Sequence, residues 1–270
     1  MASRAAPVED LSPEQVEAAK RGDKIVSVGE HLLELRNRIT VATLTLVLTT
    51  VLALVFAQDV IDYLLEPGRR ADPNFRPIFT ELLGFFGSYL KVSLLIGLAF
   101  AMPMILYQGV MYLNPALTTG ERRWTIPLIL LATVSFAGGA AFAFYVAWPP
   151  ALNFLLNFGQ DVADAQVTIN DYVNKLTRFM FWTGIVFETP LVLMGLGFLG
   201  IVSSRALKRA WRWSIIGSFV MAAIITPSVD PVTQAAVALP LIALYGLGIL
   251  LVKLVERHRG ELEATAPVEA

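Results

Sequence analysis

The sequence predicts an all-α, polytopic membrane protein with six transmembrane helices. Three observations carry that prediction. Hydrophobic residues make up 56% of the chain and charged residues only 16%, with mean hydropathy +0.62, whereas soluble domains hold about 45–50% and about 25%. The apolar excess is gathered into long runs rather than scattered. Lys and Arg are concentrated on alternate connections, which fixes the expected orientation.

Each run can be justified by its length, since a hydrocarbon core of about 30 Å needs about 20 helical residues. The first is 39–56 and the second 89–113. The third, 125–147, is bracketed by Trp124 and Trp148, placed as interfacial anchors. The fourth, 179–201, contains Glu188. The fifth, 213–226, is ended by Pro227, and its about 14 residues span only about 21 Å as a helix. A turn at 227–231 returns the chain into the sixth, 232–252. The last two helices are therefore expected to form a short hairpin that leaves the bilayer locally thin.

Two long connections, 59–88 and 149–178, precede that hairpin on the same side. The second opens with a Pro pair and "ALNFLLNF", expected as a short interfacial helix. Fifteen of the 21 Lys and Arg fall on the opposite side, together with both termini. That bias places the N- and C-termini of this multi-pass protein in the cytoplasm. The expected organisation is a polar tail at 1–26, a membrane domain at 27–256 and a second polar tail at 257–270. The first 30 residues show no apolar core followed by a cleavage site, so no removable signal peptide is expected.

Several functions are disfavoured. Net charge is −1, so no overall field points to nucleic acid. There are no cysteines, hence no disulfide, thiolate metal site or cysteine nucleophile. Phosphate-loop, H-E-x-x-H and G-x-S-x-G patterns are absent, and both histidines lie outside the apolar runs. The chain is expected not to be an enzyme and to need no cofactor or metal.

The informative residues are polar ones where hydrophobicity disfavours them. A carboxylate at the centre of a membrane helix costs about 2.5–3.5 kcal/mol on insertion scales. Glu188 sits there, two residues before Pro190, which removes a backbone hydrogen bond and frees a carbonyl. Glu188 is either a protonated packing group or a polar point facing a cavity or a partner's helix. A proton-coupled small-solute transporter built on Glu188 is the alternative function. Few other polar groups in the spans and no internal repeat count against it.

In "SVGEHLLELRNRIT" (27–40), Ser27 and Glu30 have capping-box spacing, and Glu34 and Arg38 are four apart, able to pair. In "MYLNPALTTGERRW" (111–124), Glu121 stands beside Arg122 and Arg123. These acids either neutralise their arginine neighbours or offer carboxylates to an incoming guanidinium. In "AIITPSVDPVTQ" (223–234), Thr226, Asp230 and Gln234 are either turn chemistry or polar tips that receive another helix.

"HLLELRNRI", "PALTTGERR", "FETP" and "TPSVDPVTQ" occur in that order on six runs, and together they resemble the TatC family, the core receptor subunits of twin-arginine protein translocases. The resemblance spans about residues 28–255. It implies binding of signal peptides with a consecutive Arg pair, carried by folded cargo, and export with TatA and TatB driven by the proton-motive force. It implies a signal-peptide site of Glu34, Arg36, Tyr112 and Glu121, with Tyr112 standing where Phe is commoner. It implies a cavity and partner-helix site at Glu188, Thr226 and Gln234, and functional outer-loop positions at Pro67 and Asp230. Self-association and contact with membrane lipid follow from the same resemblance.

Overall fold

The computed structural model describes residues 28–73, 75–81, 83–113, 125–158, 166–227 and 230–265. Ten α-helices make up nearly all of them: α1 (Val28–Ala53), α2 (Ala57–Leu64), α3 (Glu66–Ala71), α4 (Gly84–Leu113), α5 (Thr125–Phe142), α6 (Trp148–Asn157), α7 (Ile169–Phe187), α8 (Thr189–Phe198), α9 (Ser204–Ile225) and α10 (Pro231–Thr265). A wider π-helical turn, Ala143–Ala147, joins α5 to α6. Among the described residues the one strand-like pairing is a parallel bridge between Ile78 and Thr168. It ties the two long connections together through Ile78 N–H to Val167 O (3.1 Å) and Ile169 N–H to Ile78 O (2.8 Å).

Five segments are long and apolar enough to cross a membrane: His31–Ala53, Gly84–Tyr112, Thr125–Asn157, Ile169–Phe198 and Pro231–Arg257. The chain is thus a helical, membrane-spanning protein. Helix α9 falls outside this set because of composition, not length. It has 22 residues, but Arg205, Lys208, Arg209 and Arg212 occupy its first turns. The expected shortness therefore belongs to the apolar part of α9, residues 213–225. The other arm of the hairpin is not short, since α10 runs 35 residues to Thr265.

Two other expectations change. Helix α7 starts at Ile169 rather than near 179, so Lys175 and Arg178 lie in a helix and not in a connection. Thr168 caps it, its Oγ1 accepting from Asp171 N–H at 3.1 Å. Trp148 is no interfacial anchor: it is 1% exposed. Its Nε1 donates to Tyr172 Oη (3.1 Å), and that hydroxyl donates to Leu64 O (2.8 Å). Trp124 lies outside the described residues. Helix α6, expected at an interface, buries Trp148, Ala151 and Leu152 in the same core.

The helices pack α1 on α4, α4 on α5 and α7, α5 on α7, and α10 against both α8 and α9. Close approach of α1 and α4 depends on Gly97, where a Cβ would collide with the backbone of Thr50. Thr49 Oγ1 donates to Gly97 O at 2.8 Å across this seam. Helix α8 ends at Gly200, whose φ of 70° favours glycine. The main core lies at one end of the bundle, where Leu64, Phe75, Trp148, Tyr172, Leu176 and Phe179 meet. This is the far end; the near end is where α1 starts and α4 stops.

Candidate functional site

At the near end, α1 and α4 build a polar seam. Glu34 and Arg38 share a helix face because they are four apart. Arg38 Nε donates to Glu34 Oε1 at 2.9 Å, and its Nη2 donates to the same oxygen. Its third nitrogen, Nη1, reaches across to Gln108 Oε1 on α4 at 3.3 Å. The pair is half-buried, with side-chain exposures of 21% for Arg38 and 33% for Glu34. A cleft of about 460 Å³ opens beside it, lined by Leu33, Glu34, Asn37, Arg38, Val41 and Gln108.

One turn beyond Gln108, the Tyr112 ring stacks on His31 at 4.4 Å between centroids and 18° between planes. His31 lies three residues before Glu34, so Tyr112 and Glu34 belong to one seam. Arg36 does not join it. It is exposed and donates to Asn37 Oδ1 at 3.4 Å. Glu121 and Ser27 lie outside the described residues, as does the Glu30 side chain.

Glu188 occupies a break between two helices, not the middle of one. Pro190 has no N–H for Val186 O, four residues back. That carbonyl accepts instead from Thr189 Oγ1 at 2.6 Å. The next carbonyl, Phe187 O, accepts from Ser135 Oγ of α5 at 2.8 Å. Leu191 and Val192 N–H both turn to Glu188 O, at 3.0 and 2.9 Å. Every backbone group freed by the proline is thus satisfied, as a membrane interior requires. The side chain is different. Glu188 is 9% exposed, and its Oε1 has no hydrogen-bond partner among the described residues. It contributes to the wall of an apolar cavity of about 480 Å³ lined from α4, α5 and α8 by Leu106, Val110, Leu128, Ala132, Leu191 and Leu196 among others.

The α9–α10 hairpin distributes its polar residues differently. Asp230 caps α10: its Oδ1 accepts from Thr233 N–H at 2.7 Å, and its carbonyl accepts from Gln234 N–H at 3.1 Å. Gln234 Nε2 donates to Phe219 O of α9 at 3.1 Å, tying the two arms. Thr226 closes α9, its N–H donating to Ala222 O at 2.8 Å. Ser228 lies outside the described residues.

Pro67 is in the first turn of α3 at the far end. It lines a pocket of about 310 Å³ with Tyr63, Glu66, Arg70, Tyr145 and Asn153. The Tyr63 and Tyr145 hydroxyls hydrogen-bond to each other there. Nearby, Arg69 donates to Asp62 at 2.5 Å. That hydrogen bond, and then the guanidinium charge, holds the Asp62 carboxyl below the usual carboxylate range.

The structure brings Glu34 and Tyr112 together, and Gln234 to α9. It keeps Glu188, Pro67 and the near-end seam in separate places. Gln108 and His31 were not singled out by sequence. Gln108 lies 70 residues from Arg38, and only its position in an apolar run, near the end of α4, marks it as unusual.

Comparison with known proteins agrees with the motifs. The family described as "Sec-independent protein translocase protein (TatC)" matches residues 30–240. A chloroplastic Sec-independent protein translocase protein TATC from Arabidopsis thaliana is 36% identical over 235 residues, covering 87% of this chain and 68% of that protein. TatC from Synechocystis sp. is 36% identical over 234 residues, covering 86% and 90%. A crystal structure of the twin arginine translocase receptor TatC superposes with TM-score 0.73 at 34% identity, covering 84% of this chain and all of that one (100%). With sequence, motif order and helical architecture all concordant over most of its length, the chain belongs to the TatC family of protein translocase components.

Proposed function

We propose that this chain is the receptor and scaffold subunit of a twin-arginine translocase. It binds the Arg-pair signal peptides of folded cargo at the near end. It exports them with TatA- and TatB-type single-span subunits, driven by the proton-motive force. In this reading six helices cross the cytoplasmic (inner) membrane, α9 included, both termini are cytoplasmic, and the near end is the cytoplasmic rim. The membrane domain is 27–256, flanked by the tails at 1–26 and 257–270. Copies of the chain self-associate within the working complex.

The observation that carries the reading is the Glu34 carboxylate. It is one-third exposed at the joint of two helices, beside an open cleft and next to the Tyr112–His31 stack. Such a group can accept paired N–H···O bonds from a guanidinium, which a lysine ammonium cannot reproduce with the same planar geometry. In this reading Glu121 is a second carboxylate for the peptide, and Arg36 is an exposed cation beside Glu34 in sequence. Glu188, with Thr226 and Gln234, serves partner helices inside the bilayer, where a carboxylate oxygen with no partner among the described residues, at the wall of an apolar cavity, favours a polar visitor. Pro67 and Asp230 shape the outer surface. No step requires covalent chemistry by the chain itself.

The test is equilibrium binding of an Arg-Arg signal peptide to the purified protein. Glu34→Ala and Glu121→Ala are each expected to weaken binding by about tenfold, the scale of one lost charge-assisted hydrogen bond. Changing the peptide's pair to Lys-Lys is expected to weaken it similarly. Equal binding in all these combinations would remove the carboxylate site.

A further inference from the structure

Glu34 already holds a guanidinium. Arg38 directs Nε and Nη2 at one oxygen, Oε1, and is braced from the other side by Gln108 Oε1 at 3.3 Å. The site therefore contains, in the resting chain, a group of the same chemistry as the one proposed to enter it. We propose that Arg38 is an internal stand-in for the signal peptide's arginine, and that recognition is an exchange of one guanidinium for another on Glu34. This rests on the reading of Glu34 as the peptide's carboxylate.

Exchange has a consequence that simple attraction lacks. A vacant carboxylate attracts any cation, and the planar fork of Arg adds only part of the gain over Lys. A carboxylate oxygen already held by two N–H groups of one guanidinium, as Oε1 is, is different. A newcomer must replace the hydrogen bonds it removes or leave the half-buried oxygen under-bonded. An arginine replaces them in kind. A lysine, a compact charge without the fork, does not. Arg38 thus acts as a filter: it lowers affinity for every cation, and for lysine more than for arginine. This is discrimination by raising the cost for the wrong ligand.

Gln108 has the complementary role. Once Arg38 leaves Glu34, its Nη1 bond to Gln108 on α4 remains available, so the displaced cation has a polar acceptor at the edge of the cleft and not bare apolar wall. The cleft of about 460 Å³ gives that swing room. Gln108 itself is anchored on its helix by Nε2 donating to Met104 Sδ at 3.6 Å. Arg38 and Gln108 are positioning residues here, and neither needs to touch the peptide.

The experiment measures binding of Arg-Arg and Lys-Lys signal peptides, in parallel, to the full-length protein and to Arg38→Gln, Gln108→Leu and Glu34→Ala. The readout is the ratio of the two affinities within each preparation, which partial loss of folded protein does not alter. Arg38→Gln is expected to tighten Lys-Lys binding by about tenfold more than Arg-Arg binding, collapsing the ratio. Arg38→Lys is expected to restore part of it. Gln108→Leu is expected to weaken both peptides while leaving the ratio unchanged. An unchanged ratio in Arg38→Gln, or a selective loss of Arg-Arg binding, overturns the exchange. If Glu34→Ala leaves both peptides unaffected, the fault lies in the Glu34 assignment itself.

Discussion

Glu188 and Tyr172 show two opposite ways of keeping a polar atom inside a membrane protein. Tyr172 is 2% exposed and fully used, accepting from Trp148 Nε1 and donating to Leu64 O. It links α6, α7 and the end of α2 through one oxygen. Tyr172→Phe strands both partners and is expected to cost about 1–3 kcal/mol, seen as a lower denaturant midpoint in detergent. A midpoint equal to wild type would mean that water or local shifts replace the relay. Glu188 has an oxygen with no hydrogen-bond partner among the described residues, which is a cost to the isolated chain. Glu188→Leu is therefore expected to raise the thermal stability of the purified protein while reducing co-purification of a single-span partner. If the substitution destabilises the chain and leaves co-purification intact, Glu188 serves packing alone.

At the scale of elements, the helices follow local chemistry more closely than run lengths alone suggest. Asp230 caps α10 and thereby sets where the hairpin turns. Asp230→Ala is expected to cost about 1 kcal/mol, and Asp230→Asn to restore most of it, since Asn caps equally well. Both are measured by unfolding of the purified protein. Loss of export in Asp230→Asn with stability retained would point to a role for the charge beyond capping. The apolar runs were legible in the sequence because hydrophobicity is a local sum. Their ends were less so. Helix α7 begins ten residues before its apolar run because Thr168 caps it and because Tyr172, Val173 and Leu176 face the core past exposed polar neighbours. Trp148 shows the limit of the aromatic-belt argument. A Trp at the end of a run serves equally as anchor or core, and only its contact with Tyr172 in another helix decides. The break at Glu188 was legible as Pro190, but the hydroxyls of Thr189 and Ser135 that heal it come from local and tertiary geometry together.

Across the whole molecule, burial is uneven, and the unevenness divides the labour. The far end has the aromatic core, the Ile78–Thr168 bridge and the small helices α2, α3 and α6. This cap ties the long helices together through its core and its bridge. Helix α1 packs chiefly on α4 and leaves Leu44, Leu48, Val51 and Leu52 exposed along its length, a surface suited to lipid or to a neighbouring helix. The near end presents the Glu34 seam. Tyr112 was legible as a candidate only through motif resemblance, whereas Glu34 already stood out as an acid on a rim that favours bases. Spacing alone allowed Glu34 to be nothing more than Arg38's partner, and the structure does pair them. Gln108, which completes that arrangement, was not legible, because its relation to Arg38 exists only once α1 and α4 lie side by side.

The central claim is that this seam receives an Arg-pair peptide. The chain has no cysteines, so a single cysteine at Tyr112 gives an unambiguous reporter. The decisive measurement is the yield of crosslinks from that position to an Arg-Arg signal peptide in native membranes. The account predicts strong capture that falls with a Lys-Lys peptide and with Glu34→Ala in the same chain. Capture that is absent, or that is indifferent to both changes, would contradict it.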